Sequence, residues 1–429
     1  MIRWIRFSLG LLVAVMLAVF FTLYFMFGVG IYKPSGTQSS LFIRGGNLFR
    51  GVDATVEENP GIQVVDGRIV CLGSLCEPLP DSRVIDATGL SIVPGLIELH
   101  GHFAAITADN ADMNLTRLGW NMVRMRPDVR KRLHEHGVTS FRSVGDPRDF
   151  MIELKAYLQR GDIAGPRIFA AGPIFTAPGG HPAPGGRDPN PSGFGGNMAF
   201  QSDDPEAIRA EVALLAEQGA DGIKAVFHGA LSESGTTLLP TLSEESLRAL
   251  IDEAHAHDMW VAVHVGPLDE IRKAIQAGAD TIEHGVRAGN LVDAETLQLL
   301  VENEVVYVPT LGREPMGYLN IPALYEAGVV IGVGTDTNNP AMRYGDSYHL
   351  ELQALVDAGM PDAEVLLAAT RNGAKALGME DVLGTLQAGY LADLLLVQGA
   401  PWNDIAELRN IRMVIQNGLV VVDQEGLSP

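Results

Sequence analysis

Four histidines, one lysine and one aspartate stand where chemistry could be done: His100, His102, Lys224, His264, His284 and Asp336. Each closes, or nearly closes, a short apolar run with the character of a β-strand. The runs are Gly95-Leu-Ile-Glu-Leu-His-Gly-His102, Gly222-Ile-Lys-Ala-Val-Phe227, Trp260-Val-Ala-Val-His264, Thr281-Ile-Glu-His284 and Val330-Ile-Gly-Val-Gly-Thr-Asp336. Functional groups at the carboxyl ends of successive parallel strands are the mark of a (β/α)8 barrel active site. Residues two apart in a strand share a face, so His100 and His102 project together, and Gly101 between them adds no side chain. Imidazoles and a carboxylate suit zinc and similar divalent metals, and this set is large enough to hold two.

Lys224 is the sharpest of the group. It lies in Gly219-Ala-Asp-Gly-Ile-Lys-Ala-Val-Phe227, flanked by apolar residues where a strand should be buried. A buried ammonium is costly unless paired. One outcome is a salt bridge in the core. The other is loss of the proton, to which buried lysines are prone, followed by addition of carbon dioxide. The resulting carbamate is a bidentate anion able to bridge two cations.

With these residues in place the chain resembles the amidohydrolase superfamily, in its binuclear branch with a carboxylated lysine. Val93-Pro-Gly-Leu-Ile-Glu-Leu-His-Gly-His102, Gly222-Ile-Lys224, His264, His284 and Gly334-Thr-Asp336 carry the match. Leu366-Leu-Ala-Ala-Thr-Arg-Asn-Gly-Ala-Lys-Ala-Leu-Gly378 resembles the family's last barrel helix. Leu383-Gly-Thr-Leu-Gln-Ala-Gly-Tyr-Leu-Ala-Asp-Leu-Leu-Leu-Val397 resembles its return to a small β-domain. Within the superfamily the chain is most similar to imidazolonepropionase-like and Xaa-Pro dipeptidase-like enzymes. One departure is Phe141-Arg-Ser-Val-Gly145, where relatives often carry aspartate in place of Ser143.

The resemblance implies two divalent metals, zinc first among the candidates. His100, His102 and Asp336 would hold one, His264 and His284 the other, with the carbamate of Lys224 between them. A hydroxide shared by the metals would attack, and Asp336 would carry its proton to the leaving nitrogen. The implied reaction is hydrolysis of an amide or lactam, or of an ester or lactone. The leading substrates are dipeptides or N-acyl amino acids. A mononuclear deaminase or imidazolonepropionase-type ring opener would not need Lys224. A membrane-anchored scaffold without turnover would not need the ligands.

Substrate contacts are sought in the loops. Ala177 to Gly196 is rich in glycine and proline and has neither helical nor strand periodicity. A loop that long in a compact domain is usually functional or disordered. Relatives carry Gly-Gly-His there, here Gly179-Gly180-His181, so the resemblance gives His181 a substrate contact, with a carboxylate as its partner. His228, just past Lys224, and Arg313, after the seventh strand, are further candidates. His134, His136, His255 and His257 fall on helices and read as structural. His349 is assigned no role.

The elements that must position these groups follow from pattern. Residues 41–93 alternate apolar and polar with turn signals such as Val65-Asp-Gly67, as in short strands of a sandwich. From Pro94, apolar strands alternate with amphipathic helices, which implies parallel pairing and right-handed crossovers. Strands resume at about residue 386. The expected fold is therefore α/β: a (β/α)8 barrel over 94–385, a β-sandwich from 41–93 joined by 386–429, and an N-terminal transmembrane helix.

That helix is expected because Phe7 to Tyr32 carries no charge and exceeds the roughly 20 residues needed to span a bilayer. Arg3 and Arg6 would stay cytoplasmic. Residues 1–33 would then be a signal anchor, 34–40 a linker, and the body would lie on the periplasmic or extracytoplasmic side. Cleavage after Gly28-Val-Gly30 is the alternative. An excess of 52 acidic over 31 basic residues, net −21, disfavours nucleic acid as a partner and leaves a homo-oligomer open. Cys71 and Cys76 are either buried thiols or, in an oxidising compartment, a pair.

Overall fold

In the computed structural model the described residues are 14–15, 17–19, 40–103, 127, 129–182, 198–229, 238–286, 291–312, 315–337 and 343–424. Within these, the strand–helix alternation forms the expected barrel. Its strands are β1 (Leu96–Gly101), β2 (Val138–Ser143), β3 (Arg167–Ala170), β4 (Gly222–Val226), β5 (Trp260–His264), β6 (Thr281–Glu283), β7 (Val306–Val308) and β8 (Val330–Ile331). All neighbouring pairs within its two sheets are parallel. The ring closes at two seams. Leu99 N–H donates to Val333 O at 2.9 Å and Asp336 N–H to His100 O at 2.7 Å, joining β1 to the segment after β8. Asp221 N–H donates to Ala170 O at 2.9 Å, joining β3 to the start of β4.

The strands are near-continuous apolar runs because both faces are covered. Ile97, Leu99, Ala262, Val306 and Val308 fill the interior with Trp260. Outward-facing residues such as Ile223, Val261, Val263 and Ile282 pack on the helices. The helices begin where the sequence offers caps: Asp204, Ser243 and Asp293 accept from Glu206 N–H, Ser246 N–H and Thr296 N–H, filling otherwise unpaired donors of the first turn. Gly278 ends the helix Leu268–Ala277 in the left-handed region, φ 104°, where glycine alone is unstrained.

Both ends of the chain meet in a sandwich. One sheet runs Arg68–Gly73, Gly61–Val65, Ser40–Arg44, Arg83–Asp86; the other runs Leu419–Asp423, Ile411–Gln416, Leu394–Val397, Ser91–Pro94, Asn47–Phe49, Val56–Glu58. Their shared core of Leu41, Ile43, Ile62, Ile85, Leu394, Met413 and Ile415 also takes in Leu386. The two cysteines are disulfide-bonded, Cα–Cα 5.7 Å.

Three expectations change. The last barrel helix is not continuous: Asp362–Ala368 and Arg371–Ala376 are separate helices. The break falls at Thr370, whose hydroxyl bonds back to Leu366 O at 2.7 Å, a contact that loosens helical backbone. The preceding Ala369 carbonyl turns instead to Ile97 N–H at 2.9 Å. Two strands absent from the expected barrel, Ile174–Thr176 and Ala199–Gln201, add to the edge of β4. The carboxyl-terminal segment is not purely sandwich, since Ile405 and Leu408 pack into the barrel-helix core. The expected anchor, residues 1–33, lies outside the described residues except for short helical pieces at 14–15 and 17–19. Among the described residues no helix is long and apolar enough to cross a membrane.

Candidate active site

The strand ends converge. His100, His102 and Asp336 each offer a ligand atom, all within 4.8 Å of one another. His102 Nε2 is 3.2 Å and His100 Nε2 3.7 Å from Asp336 Oδ1. His284 stands 4.6 Å from His100, ring centre to ring centre, and His264 4.4 Å from His284. Lys224, 2 % exposed, lies close enough for its charge to depress the pKa of His100 and to act against protonation of His102. The structure thus gathers the ligand set expected from the sequence at one mouth. His284 and Asp336 hold left-handed backbone, φ 65° and 51°, a strained conformation typical of functional sites.

What orients the imidazoles decides what the cluster can hold. His100 Nδ1–H donates to Glu283 Oε2 at 2.5 Å. His102 Nδ1–H donates to Gly145 O at 3.2 Å. His284 Nδ1 is paired with the Thr310 hydroxyl at 2.8 Å. A carboxylate and a carbonyl can only accept, so these contacts fix the tautomer of His100 and His102 and leave Nε2 as a lone pair toward the centre. Ligating histidines are held in this way in metal sites. Burial, and after it the charge of Lys224, lowers the His100 pKa to about 4, so the ring is the neutral form that metals require. Burial alone would lower His102 as well, but the Asp336 carboxylate outweighs it and the net shift is upward.

Beneath the ligands lies a charged network that sequence reasoning missed. Glu283 and Arg142 are fully buried and paired at 2.6 Å. Arg142 also donates to Leu99 O and to Thr281 Oγ1, and its guanidinium lies 5.0 Å from the Trp260 ring centre. The signal was available: Thr281 and Glu283 alternate onto one face of an apolar strand, as Lys224 does in β4. Glu98 and Glu351, also buried, are pushed up to about 8 and about 7 by desolvation. Glu98 accepts from His100 N–H and Thr335 N–H, and Glu351 from Leu311 N–H and Gly312 N–H. They brace the loops after β7 and β8. At the Ser143 departure a carboxylate is present after all, because Ser143 Oγ–H donates to Asp146 Oδ2 at 2.5 Å.

Of the substrate candidates, His181 and His228 reach the mouth, their rings 5.3 Å and 5.7 Å from that of His264. Arg313 lies outside the described residues, as does most of the loop that follows His181. Four other histidines bond to protein groups. His134 bonds Gln416 at 2.6 Å, His136 and His349 bond backbone carbonyls, and His255 bonds Asp280.

The model of the amidohydrolase family matches residues 91–421. The chain belongs to that family. It is 27 % identical over 355 residues to an ochratoxinase from Aspergillus niger, covering 73 % of this chain and 71 % of that one. It is 27 % identical over 416 residues to an imidazolonepropionase from Symbiobacterium thermophilum, covering 87 % and 92 %. Among solved structures, a Xaa-Pro dipeptidase with methionine bound in its active site superposes with a TM-score of 0.77 at 29 % identity, covering 89 % of this chain and 99 % of that one. The protein is a metal-dependent amidohydrolase acting on carbon–nitrogen bonds.

Proposed function

We propose that the chain is a binuclear amide hydrolase for dipeptides or N-acyl amino acids. The observation that carries this is the placement of Lys224 among four imidazoles, three of which are oriented from outside through Nδ1. Those imidazoles, with Asp336, fit divalent metals by donor chemistry, and His100 and His102 fit also by tautomer. His100, His102 and Asp336 would hold one ion and His264 and His284 the other. Lys224, as its carbamate, would bridge them. When bound, zinc or a similar ion lowers the pKa of water so that it attacks near neutral pH, and polarises the scissile carbonyl. Asp336, at the rim of the ligand cluster, takes the proton of the attacking water and returns it to the leaving nitrogen. Glu283 keeps His100 in its ligating tautomer throughout. The Xaa-Pro dipeptidase likeness supports a dipeptide-sized substrate.

A mononuclear site on His100, His102 and Asp336 alone would leave a lysine buried in the mouth without a use. Lys224→Ala separates the two readings. Under the binuclear reading the variant folds, loses at least one metal by elemental analysis and loses nearly all turnover. Formate, acetate or bicarbonate restores part of both. Lys224→Arg is not restored. A Lys224→Ala protein that keeps two metals and full activity would establish that the lysine bridges nothing.

The body is proposed to lie outside the cytoplasm, tethered by residues 7–32. The uncharged run, the flanking Arg3 and Arg6 and the Cys71–Cys76 bond support this, since disulfides persist in oxidising compartments.

A further inference from the structure

The segment Ser74–Ser82 is fixed to the sandwich more firmly than a surface connection needs. It leaves the edge strand Arg68–Gly73, crosses the outer face of the four-stranded sheet and enters the opposite edge strand, Arg83–Asp86. Phe42 and Gln63 alternate with the core residues Leu41, Ile43, Ile62 and Val64, so they point to that outer face, yet both are buried. The strap is what covers them. The Cys76 carbonyl and the Phe42 ring both crowd Gly61, where a side chain would have no room. Gln63 Oε1 accepts from Leu79 N–H and from Ser82 Oγ–H, each at 3.0 Å. Its Nε2–H donates to Ser40 Oγ at 2.9 Å, and the Ser40 and Ser82 hydroxyls pair at 2.6 Å. The Cys71–Cys76 disulfide ties the first turn of the strap to the strand before it. What this fixed strap displays is apolar: Leu75 is 93 % exposed and Leu79 47 %. Val70 and Val84, on the two edge strands of the same sheet, are exposed as well.

We propose that the strap lies against the lipid bilayer entered by residues 7–32, with Leu75 and Leu79 in its headgroup region. The proposal rests on the anchored reading of the chain and adds a second point of contact to it. Seven steps of chain separate Lys33 from Ser40, and they reach at most about 25 Å. Ser40 is the residue bonded to Ser82 and, through Gln63, to Leu79. The strap therefore sits where the chain arrives from the anchor. Its backbone is already fixed, so little ordering is lost when the leucines enter the interface. The tether also holds them at high effective concentration, so two side chains suffice. The strap carries Glu77 and Asp81 and neither lysine nor arginine. It therefore suits a zwitterionic surface and is repelled by an anionic one.

The test uses the full chain, reconstituted in phosphatidylcholine vesicles through its own amino-terminal segment. Leu75→Trp adds a fluorophore on the strap, and Leu350→Trp adds one at an exposed position on the helix Asp346–Asp357 as a control. Acyl chains brominated close to the headgroup should quench the emission that Leu75→Trp adds over the wild type and leave that of Leu350→Trp unchanged. Adding Leu79→Ser to Leu75→Trp should lower the ratio of docked to undocked strap about tenfold, the factor for burying one leucine. Phosphatidylglycerol in place of phosphatidylcholine should lower it too. An anchored protein without quenching, or with equal quenching at both positions, overturns the strap contact and leaves the anchor standing. Leu75→Trp emission that follows protein density in the vesicle and ignores bromination would assign the strap to a second copy and overturn the bilayer contact. If the chain is recovered as a soluble product without residues 7–32, the anchor reading fails. Quenching of that product by added brominated vesicles would then uphold the strap, and its absence would overturn the strap too.

Discussion

Glu283→Gln probes whether the network under the metals sets their affinity. The substitution keeps shape and removes one charge from a site with no solvent access. In the native protein Glu283 Oε2 accepts from His100 Nδ1–H and Oε1 from Arg142 and from the Thr281 hydroxyl. A glutamine has one acceptor oxygen. If it faces Arg142, its NH2 group points at His100 Nδ1–H, donor against donor, and the ring must move its proton to Nε2, the ligating atom. If it faces His100, the NH2 group meets the guanidinium. Either way one partner is lost and Arg142 is left buried without its counter-charge.

Removing one member of a buried pair costs about 3–5 kcal/mol of stability, and removing the group that orients a ligating histidine costs about 10- to 100-fold in metal affinity. Arg142→Met/Glu283→Leu separates the two effects. Deleting both charges should restore most of the stability, yet His100 still lacks its acceptor and the metal should remain weakly held. The measurements are Tm of the metal-free protein and metal Kd by competition with a chromophoric chelator. A Glu283→Gln protein with wild-type Tm and a Kd within about twofold would refute the argument. So would a double variant that regains full metal affinity.

Three other outcomes follow. Burial holds the His134 pKa at about 4, below its unfolded value of about 6.5, so the unfolded chain takes up the proton first. The stability tied to His134 is complete above about pH 6.5 and drains as pH falls toward 4. His134→Gln should flatten the pH dependence of unfolding in that window by up to about 1.4 kcal/mol per pH unit; parallel curves would refute this. His181→Ala should raise KM mainly for substrates with a free carboxylate, by an amount equivalent to about 1.5–3 kcal/mol, and equal loss on amidated substrates would reduce the residue to a loop support. A reporter active only outside the cytoplasm, fused to the carboxyl terminus, should be active and sediment with membranes. A soluble product beginning near residue 31 would mean cleavage, and a reporter active only in cytoplasm would invert the topology.

The ligand set was legible because its chemistry is local. A histidine or lysine ending an apolar run is anomalous wherever it occurs, and the two-residue period of a strand says which way it points. The alternation of strand and helix made the barrel legible in the same way. The Arg142–Glu283 pair was harder to see because its members come from β2 and β6, and only closure of the ring makes them neighbours. The break at Thr370 was hidden because Leu366–Gly378 has good helical pattern throughout. What ends the helix is Ala369 O being claimed by β1 and by Tyr348 Oη–H, at 3.4 Å, which are tertiary partners. The strands Ile174–Thr176 and Ala199–Gln201 were lost in a stretch dominated by glycine and proline.

Backbone strain carries the same lesson to the strand ends. His284, Thr310 and Asp336 adopt φ of 65°, 50° and 51°, a conformation costing roughly 1–2 kcal/mol for a residue with a side chain. They follow β6, β7 and β8, and two of them are ligand candidates, while Thr310 pairs with the third ring position through His284 Nδ1. A strand that simply continued would carry these side chains upward, away from one another. The left-handed turn bends each chain over the mouth, and Asp336 N–H closes on His100 O at 2.7 Å as it does so. The barrel therefore supplies more than a scaffold of parallel strands. Its closure over-determines the three strained residues, and that is what brings ligands from its first, sixth and eighth strands into one cluster.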